Sequence, residues 1–152
     1  MARRAQRETG RHFGNTVYVF TPLYIANYCD NYCIYCGFNR YNDIVRRRLT
    51  EAEIAREMEV IAASGIEEIL LLTGESPAMS DIAYIGEACR LARRHFRNVG
   101  LEIYPVNTAD YQYLHECGAD YVTVFQETYD AVRYEELHLA GRKRVFPYRF
   151  EA

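Results

Sequence analysis

Three cysteines, Cys29, Cys33 and Cys36, crowd the stretch IANYCDNYCIYCGFN at a Cys-x3-Cys-x2-Cys spacing. Thiolates are soft ligands that select zinc, copper(I) or iron–sulfur clusters. Structural zinc asks for four ligands in a closed tetrahedron, and the fourth is hard to find here. His12 lies far upstream, and no histidine stands between the cysteines. A four-iron cluster normally takes four cysteines, so three would leave one iron with an open position for a substrate or cofactor. Both a small metal-binding or electron-transfer module and a reactive cluster site are compatible with the thiols alone. The other two cysteines read differently. Cys89 falls on the apolar stripe of a helical pattern and Cys117 closes another before Gly118, so both are expected in the core.

The elements that must position the thiols alternate between strand and helix. TVYVFTPLYI (Thr16–Ile25), EEILLLT (Glu67–Thr73), VGLEIYP (Val99–Pro105) and DYVTVFQ (Asp120–Gln126) are short β-branched and apolar runs. Thr50 and Glu53 make a capping box for a helix whose Ile54, Met58 and Ile61 share a face and which should stop at Gly65. Ile82, Ile85, Cys89, Ala92 and Phe96 repeat at helical spacing after Ser80, the expected N-cap. A third helix is expected over Thr108–Cys117, and YDAVRYEELH suggests a fourth. Buried strands alternating with amphipathic helices predict an α/β fold with a parallel sheet. The cysteines would then follow the first strand.

The chain has 152 residues, within the range of one domain, and no repeat or flexible linker suggests a second. A (β/α)8 barrel needs about 250 residues, so four strands correspond to half of one. The sequence is therefore expected to be a fragment, the first four βα units, with PYRFEA at the end reading as the start of a helix. With 18 Lys and Arg against 21 Asp and Glu, the net charge of −3 gives no general reason to bind nucleic acid or an anionic membrane. The runs Arg46–Arg48 and Arg142–Arg144 are expected to be solvated faces. No apolar run reaches the roughly 20 residues of a membrane span, and the N-terminus lacks a signal-peptide core, so a cytoplasmic location is expected. The 14 tyrosines are assigned to strands and pocket walls, and His115 and His138 have no nucleophile partner that would suggest a hydrolytic triad.

CDNYCIYC, with Tyr35 as the aromatic before the last cysteine, resembles the cluster motif of the radical S-adenosylmethionine (SAM) enzymes. Together with LLLTGESP and VFQETYD, it is most similar to the 2-iminoacetate synthases, the tyrosine lyases of thiamine thiazole biosynthesis. The likeness runs from about Phe13 to Ala152. It implies a radical SAM barrel truncated to about four βα units, with Cys29, Cys33 and Cys36 holding three irons of a [4Fe–4S] cluster. The fourth iron would chelate the methionine part of SAM, whose reductive cleavage gives a 5′-deoxyadenosyl radical. In tyrosine lyases that radical leads to breakage of the Cα–Cβ bond of L-tyrosine, giving 2-iminoacetate (dehydroglycine) and p-cresol.

The same resemblance implies roles for particular residues. Thr73, Gly74 and Glu75 match the element that binds the SAM amino group, with Thr73 where the general pattern has Gly. Glu127 matches an acidic residue that contacts the SAM ribose, and Phe125 stands where some relatives place Asn. Arg149 matches an arginine that approaches the SAM carboxylate, and Tyr35 would line the adenine side. Glu102 is assigned no role, because strand parity alone does not separate pocket from surface. The residues that grip tyrosine are expected beyond residue 152. Implied partners are L-tyrosine, a reductant such as flavodoxin or ferredoxin, and a thiazole synthase. The related reading is the tyrosine lyase that matures iron-only hydrogenase.

Overall fold

Four strands lie parallel in the computed structural model, which describes residues 1–147. They are β1 (Phe20–Ala26), β3 (Glu68–Thr73), β4 (Asn98–Glu102) and β5 (Tyr121–Thr123), adjacent in that order. Each is joined to the next by a helix: α2 (Glu51–Ala63), α3 (Ile82–Ala92) and α4 (Thr108–Glu116). Parallel neighbours need such crossovers, since a tight turn can only reverse a strand. A two-residue strand, β2 (Tyr32–Cys33), lies within the long connection after β1 and pairs antiparallel with β6 (His138–Ala140), which follows α5 (Ala131–Leu137). An N-terminal helix, α1 (Ala2–His12), buries none of its residues. No helix among the described residues is long and apolar enough to cross a membrane.

The helices cover one face of the sheet, where Ile69, Leu71, Val99 and Leu101 pack with Ile54, Met58, Ile85 and Cys89. The start of α2 is as expected: Glu53 donates its backbone N–H to Thr50 Oγ1 (3.3 Å) and its carboxylate accepts from the Thr50 N–H (2.8 Å). Gly65 ends that turn at φ +86°, a backbone geometry that glycine adopts without a Cβ clash. The cap of α3 differs from expectation. Ser80 is fully buried and its hydroxyl donates back to the Ser76 carbonyl, so Asp81 caps the helix by accepting from the Tyr84 N–H at 2.9 Å.

The strands are shorter than the apolar runs that foretold them. Phe20 opens β1 because its partner β3 begins opposite it at Glu68, and β5 ends at Thr123 where it pairs with the last residue of β4, Glu102. Register also fixes the face that the helices leave open. Tyr24, Leu72 and Glu102 are paired in sequence across β1, β3 and β4, and all three line one cleft. One row below, the Tyr121 ring lies over Gly100, where any Cβ would strike it, and its hydroxyl donates to Glu68 Oε1 at 2.8 Å.

Candidate SAM and cluster site

The connection after β1 carries the cysteine motif and is folded back on the sheet by side chains from its own far end. Asn27 donates to the Val45 carbonyl (2.8 Å) and accepts from the Arg47 N–H (2.7 Å). Arg46 spreads its guanidinium over four carbonyls, donating to Asn27 (2.7 Å), Phe38 (2.9 Å), Asn39 (2.7 Å) and Asn42 (3.5 Å). Arg48 stacks its guanidinium 3.8 Å from the centre of the Tyr84 ring. The expectation of a solvated face holds for Arg47 and Arg48, which are exposed, and is corrected for Arg46, which clamps loop carbonyls that no strand partner satisfies.

The end of β3 closes against this loop. Gly74 donates to the Ala26 carbonyl at 2.9 Å, and any side chain at position 74 would collide with the Tyr28 carbonyl. Asp30 donates its N–H to the Glu75 carbonyl (3.0 Å), and Ser76 donates its hydroxyl to Asp30 Oδ1 (3.0 Å). These bonds bring the Cys29 turn and the Thr73–Glu75 turn side by side at the C-terminal ends of the strands, where parallel α/β folds collect their ligands.

The resulting cleft, about 260 Å³, is lined by Cys29, Cys33 and Cys36 together with Thr73, Gly74, Glu75, Tyr35, Phe125 and Glu127. All the site residues expected from the sequence thus meet in one place, except Arg149, which lies outside the described residues. Several further lining residues carried no sequence signal of their own: Tyr24, Asn31, Glu102 and Lys143. Glu102 faces the cleft because its row in the sheet is the one opposite the helices. Lys143, read as part of a solvated basic run, instead reaches Glu127 Oε1 at 2.6 Å, with both side chains about seven-eighths buried.

Behind that ion pair sits His138, wholly buried and stacked 3.9 Å from the centre of the Tyr134 ring. Its Nδ1 lies 2.7 Å from the Tyr134 carbonyl, which can only accept, so Nδ1 carries a proton. The Nε2 lies 2.7 Å from the Tyr35 hydroxyl, which donates to it when that nitrogen is bare. Glu127 Oε2 is 3.4 Å from the same nitrogen but makes no hydrogen bond among the described residues. Burial raises the Glu127 carboxyl, and Lys143 leads the groups that pull it down, leaving it below its ordinary value. Tyr35 is pushed far above the usual phenol range, by burial first and then by Glu127. It remains a proton donor.

Two features test whether a cluster and SAM suit this cleft. The first is the donor set. Burial pushes the Cys33 thiol up to about 11, against the opposing pull of Lys143, so a proton must leave as a cationic metal arrives. Among the described residues no three His, Cys, Asp or Glu side chains converge closely enough for a single ion. A [4Fe–4S] cluster would draw on thiolate donors, and Cys29, Cys33 and Cys36 all line the cleft. The second feature is a pair of orphaned acceptors. Thr73 Oγ1 and Glu127 Oε2 are buried without a hydrogen-bond partner among the described residues, and both residues line the cleft. Such atoms suit the hydroxyl and ammonium groups of a polar ligand. The residues fit both groups.

A parallel βα sheet with a three-cysteine loop above its first strand and a Gly-Glu turn above the next defines an α/β protein with its candidate ligand cleft at the strand ends. The chain belongs to the Radical SAM superfamily, whose match spans residues 23–151. Over 151 residues it is 42% identical to 2-iminoacetate synthase of Escherichia coli strain K12, covering 99% of this chain and 40% of that protein. It is 31% identical over 142 residues to 3-methylornithine synthase of Methanosarcina acetivorans, covering 89% of this chain and 39% of that one. Among solved structures, HydG, a maturase of the [FeFe]-hydrogenase, superposes with a TM-score of 0.93 at 31% identity over 99% of this chain and 34% of its own. The chain thus spans about two fifths of the length of the curated relatives it matches.

Proposed function

We propose that this chain supplies the cluster site and much of the SAM site of a carbon–carbon lyase that splits L-tyrosine into 2-iminoacetate and p-cresol for thiamine thiazole synthesis. The single observation that carries the reading is the meeting of Cys29, Cys33 and Cys36 with Gly74, Glu75 and Glu127 in one cleft at the strand ends. The 42% identity to a 2-iminoacetate synthase supports the choice of substrate. When bound, a reduced [4Fe–4S] cluster would supply the electron that cleaves SAM to methionine and a 5′-deoxyadenosyl radical.

The chain's own residues would bind and orient. Cys29, Cys33 and Cys36 would hold the cluster, and the cleft beside them would take SAM. The Glu75 carboxylate would accept from the SAM ammonium, with Thr73 Oγ1 beside it, while Gly74 lets the turn sit against the cysteine loop. Glu127, kept ionised by Lys143, would accept from a ribose hydroxyl through Oε2. Tyr35, tied to His138 through its hydroxyl, would present its ring and backbone to the adenine side. Arg149 is proposed for the SAM carboxylate. An electron donor such as flavodoxin or ferredoxin and a thiazole synthase acceptor of the product complete the reading.

The test is anaerobic reconstitution, with iron and sulfide, of the full-length lyase to which this chain is proposed to belong, then assay with SAM, dithionite and L-tyrosine. Broad brown absorbance, an electron paramagnetic resonance (EPR) signal perturbed by SAM, and p-cresol release are expected. A SAM-sensitive cluster that forms no p-cresol would reject the substrate assignment, and a SAM-insensitive signal would reject the SAM site. The close superposition on HydG favours a second reading, a tyrosine lyase of hydrogenase maturation. Growth of a thiamine auxotroph lacking 2-iminoacetate synthase, rescued by the gene, supports the first reading; p-cresol formation without rescue supports the second.

A further inference from the structure

Asn31 stands between the second and first cysteines of the motif, is 2% exposed, and spends its whole amide on three different parts of the cleft. Its Nδ2 donates to Glu75 Oε2 at 2.8 Å and points a second proton at Cys29 Sγ, 3.7 Å away. Its Oδ1 accepts the Lys143 backbone N–H at 3.0 Å. The orientation of the amide follows from these partners. An N–H donor lies on one side, and a carboxylate with a sulfur on the other, so a flipped amide would set oxygen against oxygen. The turn that brings Lys143 in also depends on Asn31. Gly141, at φ +88°, lies so close that any Cβ there would strike Asn31 Oδ1.

We infer that Asn31 is a positioning residue that ties the Cys29 thiolate to the Glu75 carboxylate, so that one amide both tunes the cluster and aims the group that receives the SAM ammonium. The inference rests on the proposed roles of Cys29 and Glu75. A hydrogen bond to a ligating sulfur withdraws charge and favours the reduced cluster. A hydrogen bond to one carboxylate oxygen fixes the direction in which the group presents its lone pairs. Both effects come from the donor nitrogen, whereas the oxygen serves the Lys143 turn. The two ends of the amide can therefore be separated by substitution.

Asn31→Asp keeps the side-chain volume and the acceptor for Lys143 but removes both donated protons. The reconstituted protein would be examined by EPR-monitored redox titration and by SAM titration of the EPR signal, both read on the cluster-loaded fraction. We expect a midpoint potential more negative than wild type and SAM affinity weaker by about tenfold or more. In a Glu75→Gln background, Asn31→Asp should no longer weaken SAM binding, while the shift in potential persists, because only the Glu75 arm has been removed. Asn31→Ala, read in the same way, covers the case in which the Asp variant does not assemble. Wild-type potential and affinity in whichever variant loads cluster would overturn the inference, even if cluster yield or thermal stability fell. Wild-type protein whose signal ignores SAM would instead overturn the functional reading on which it rests.

Discussion

Two groups of cysteines share this chain and live in opposite surroundings. Cys89 and Cys117 lie between α3 and α4 on the helix-covered side of the sheet, with Gly86 leaving room for the Cys117 sulfur. Burial first, then the neighbouring Cys117, pushes the Cys89 thiol up to about 12, so it behaves as a small apolar side chain. Cys29 and Cys36 are half-buried at the strand ends beside Asn31, Lys143 and Glu75, in a cleft open to a ligand. The residue type is the same, and the difference lies in which end and which face of the sheet carries it. Strand ends release the backbone from the ladder and bring loops together, whereas the core-facing side of α3 and the cap of α4 pack their thiols among buried side chains.

The widest break in that comparison should come from Cys33→Ala set against Cys89→Ala. Losing Cys33 is expected to abolish the brown chromophore and the SAM-sensitive EPR signal. Losing Cys89 should leave iron content and signal unchanged; loss of the cluster from both proteins would mean that the two groups are not distinct in function. Next in size is Lys143→Met, which strands the Glu127 carboxylate in a buried site. It should cost about 3 kcal/mol in urea unfolding, and Glu127→Gln added to it should recover part of the loss. A cost no greater than that of an exposed lysine would show that the pair is solvated.

On the helix side the effects should be smaller. Cys89→Ala is expected to cost about 1–2 kcal/mol through the cavity it leaves, with no change in midpoint potential. Asp120→Asn probes the boundary between core and surface. Asp120 accepts from Arg93 at 2.6 Å and from the Val99 N–H at 2.7 Å, which together outweigh the opposing effect of burial and hold its carboxyl below the ordinary value. Because the folded value is depressed, the stabilisation is complete above the unfolded value and disappears as pH falls through the folded one. The variant should be about 1 kcal/mol less stable at neutral pH, and the gap should close below about pH 4. A gap that persisted at lower pH would point to packing instead of charge.

Only the thiol motif could be read directly from residue types and spacing. The Gly-Glu turn after an apolar run and the acid after the last strand were assigned through the resemblance that the thiol motif carries. The structure places Cys29, Cys33, Cys36, Thr73, Gly74, Glu75, Tyr35 and Glu127 around one cleft. Lys143, Arg46 and Asn31 did not announce themselves. Two sat in charge runs that ordinarily face water, and the third was a lone polar residue inside a motif defined by its neighbours. Their roles come from contacts between segments far apart in sequence. Lys143 meets Asn31 only because β6 pairs with β2, and Arg46 finds its carbonyls only when the loop turns back on itself.

The sequence by itself determined the alternation of strands and helices, the capping box of α2, the stops at Gly65 and Gly118, and the identity of the thiol motif. All of these depend on neighbours within a few residues, where backbone preference and side-chain spacing act directly. Tertiary structure alone decided that Glu102 faces the cleft, that Asp81 and not Ser80 caps α3, and that a lysine in a basic run is buried against Glu127. Strand register selects the open face and chain crossing selects which charges meet, and both are settled by burial of the whole sheet, a quantity that no short stretch of residues contains.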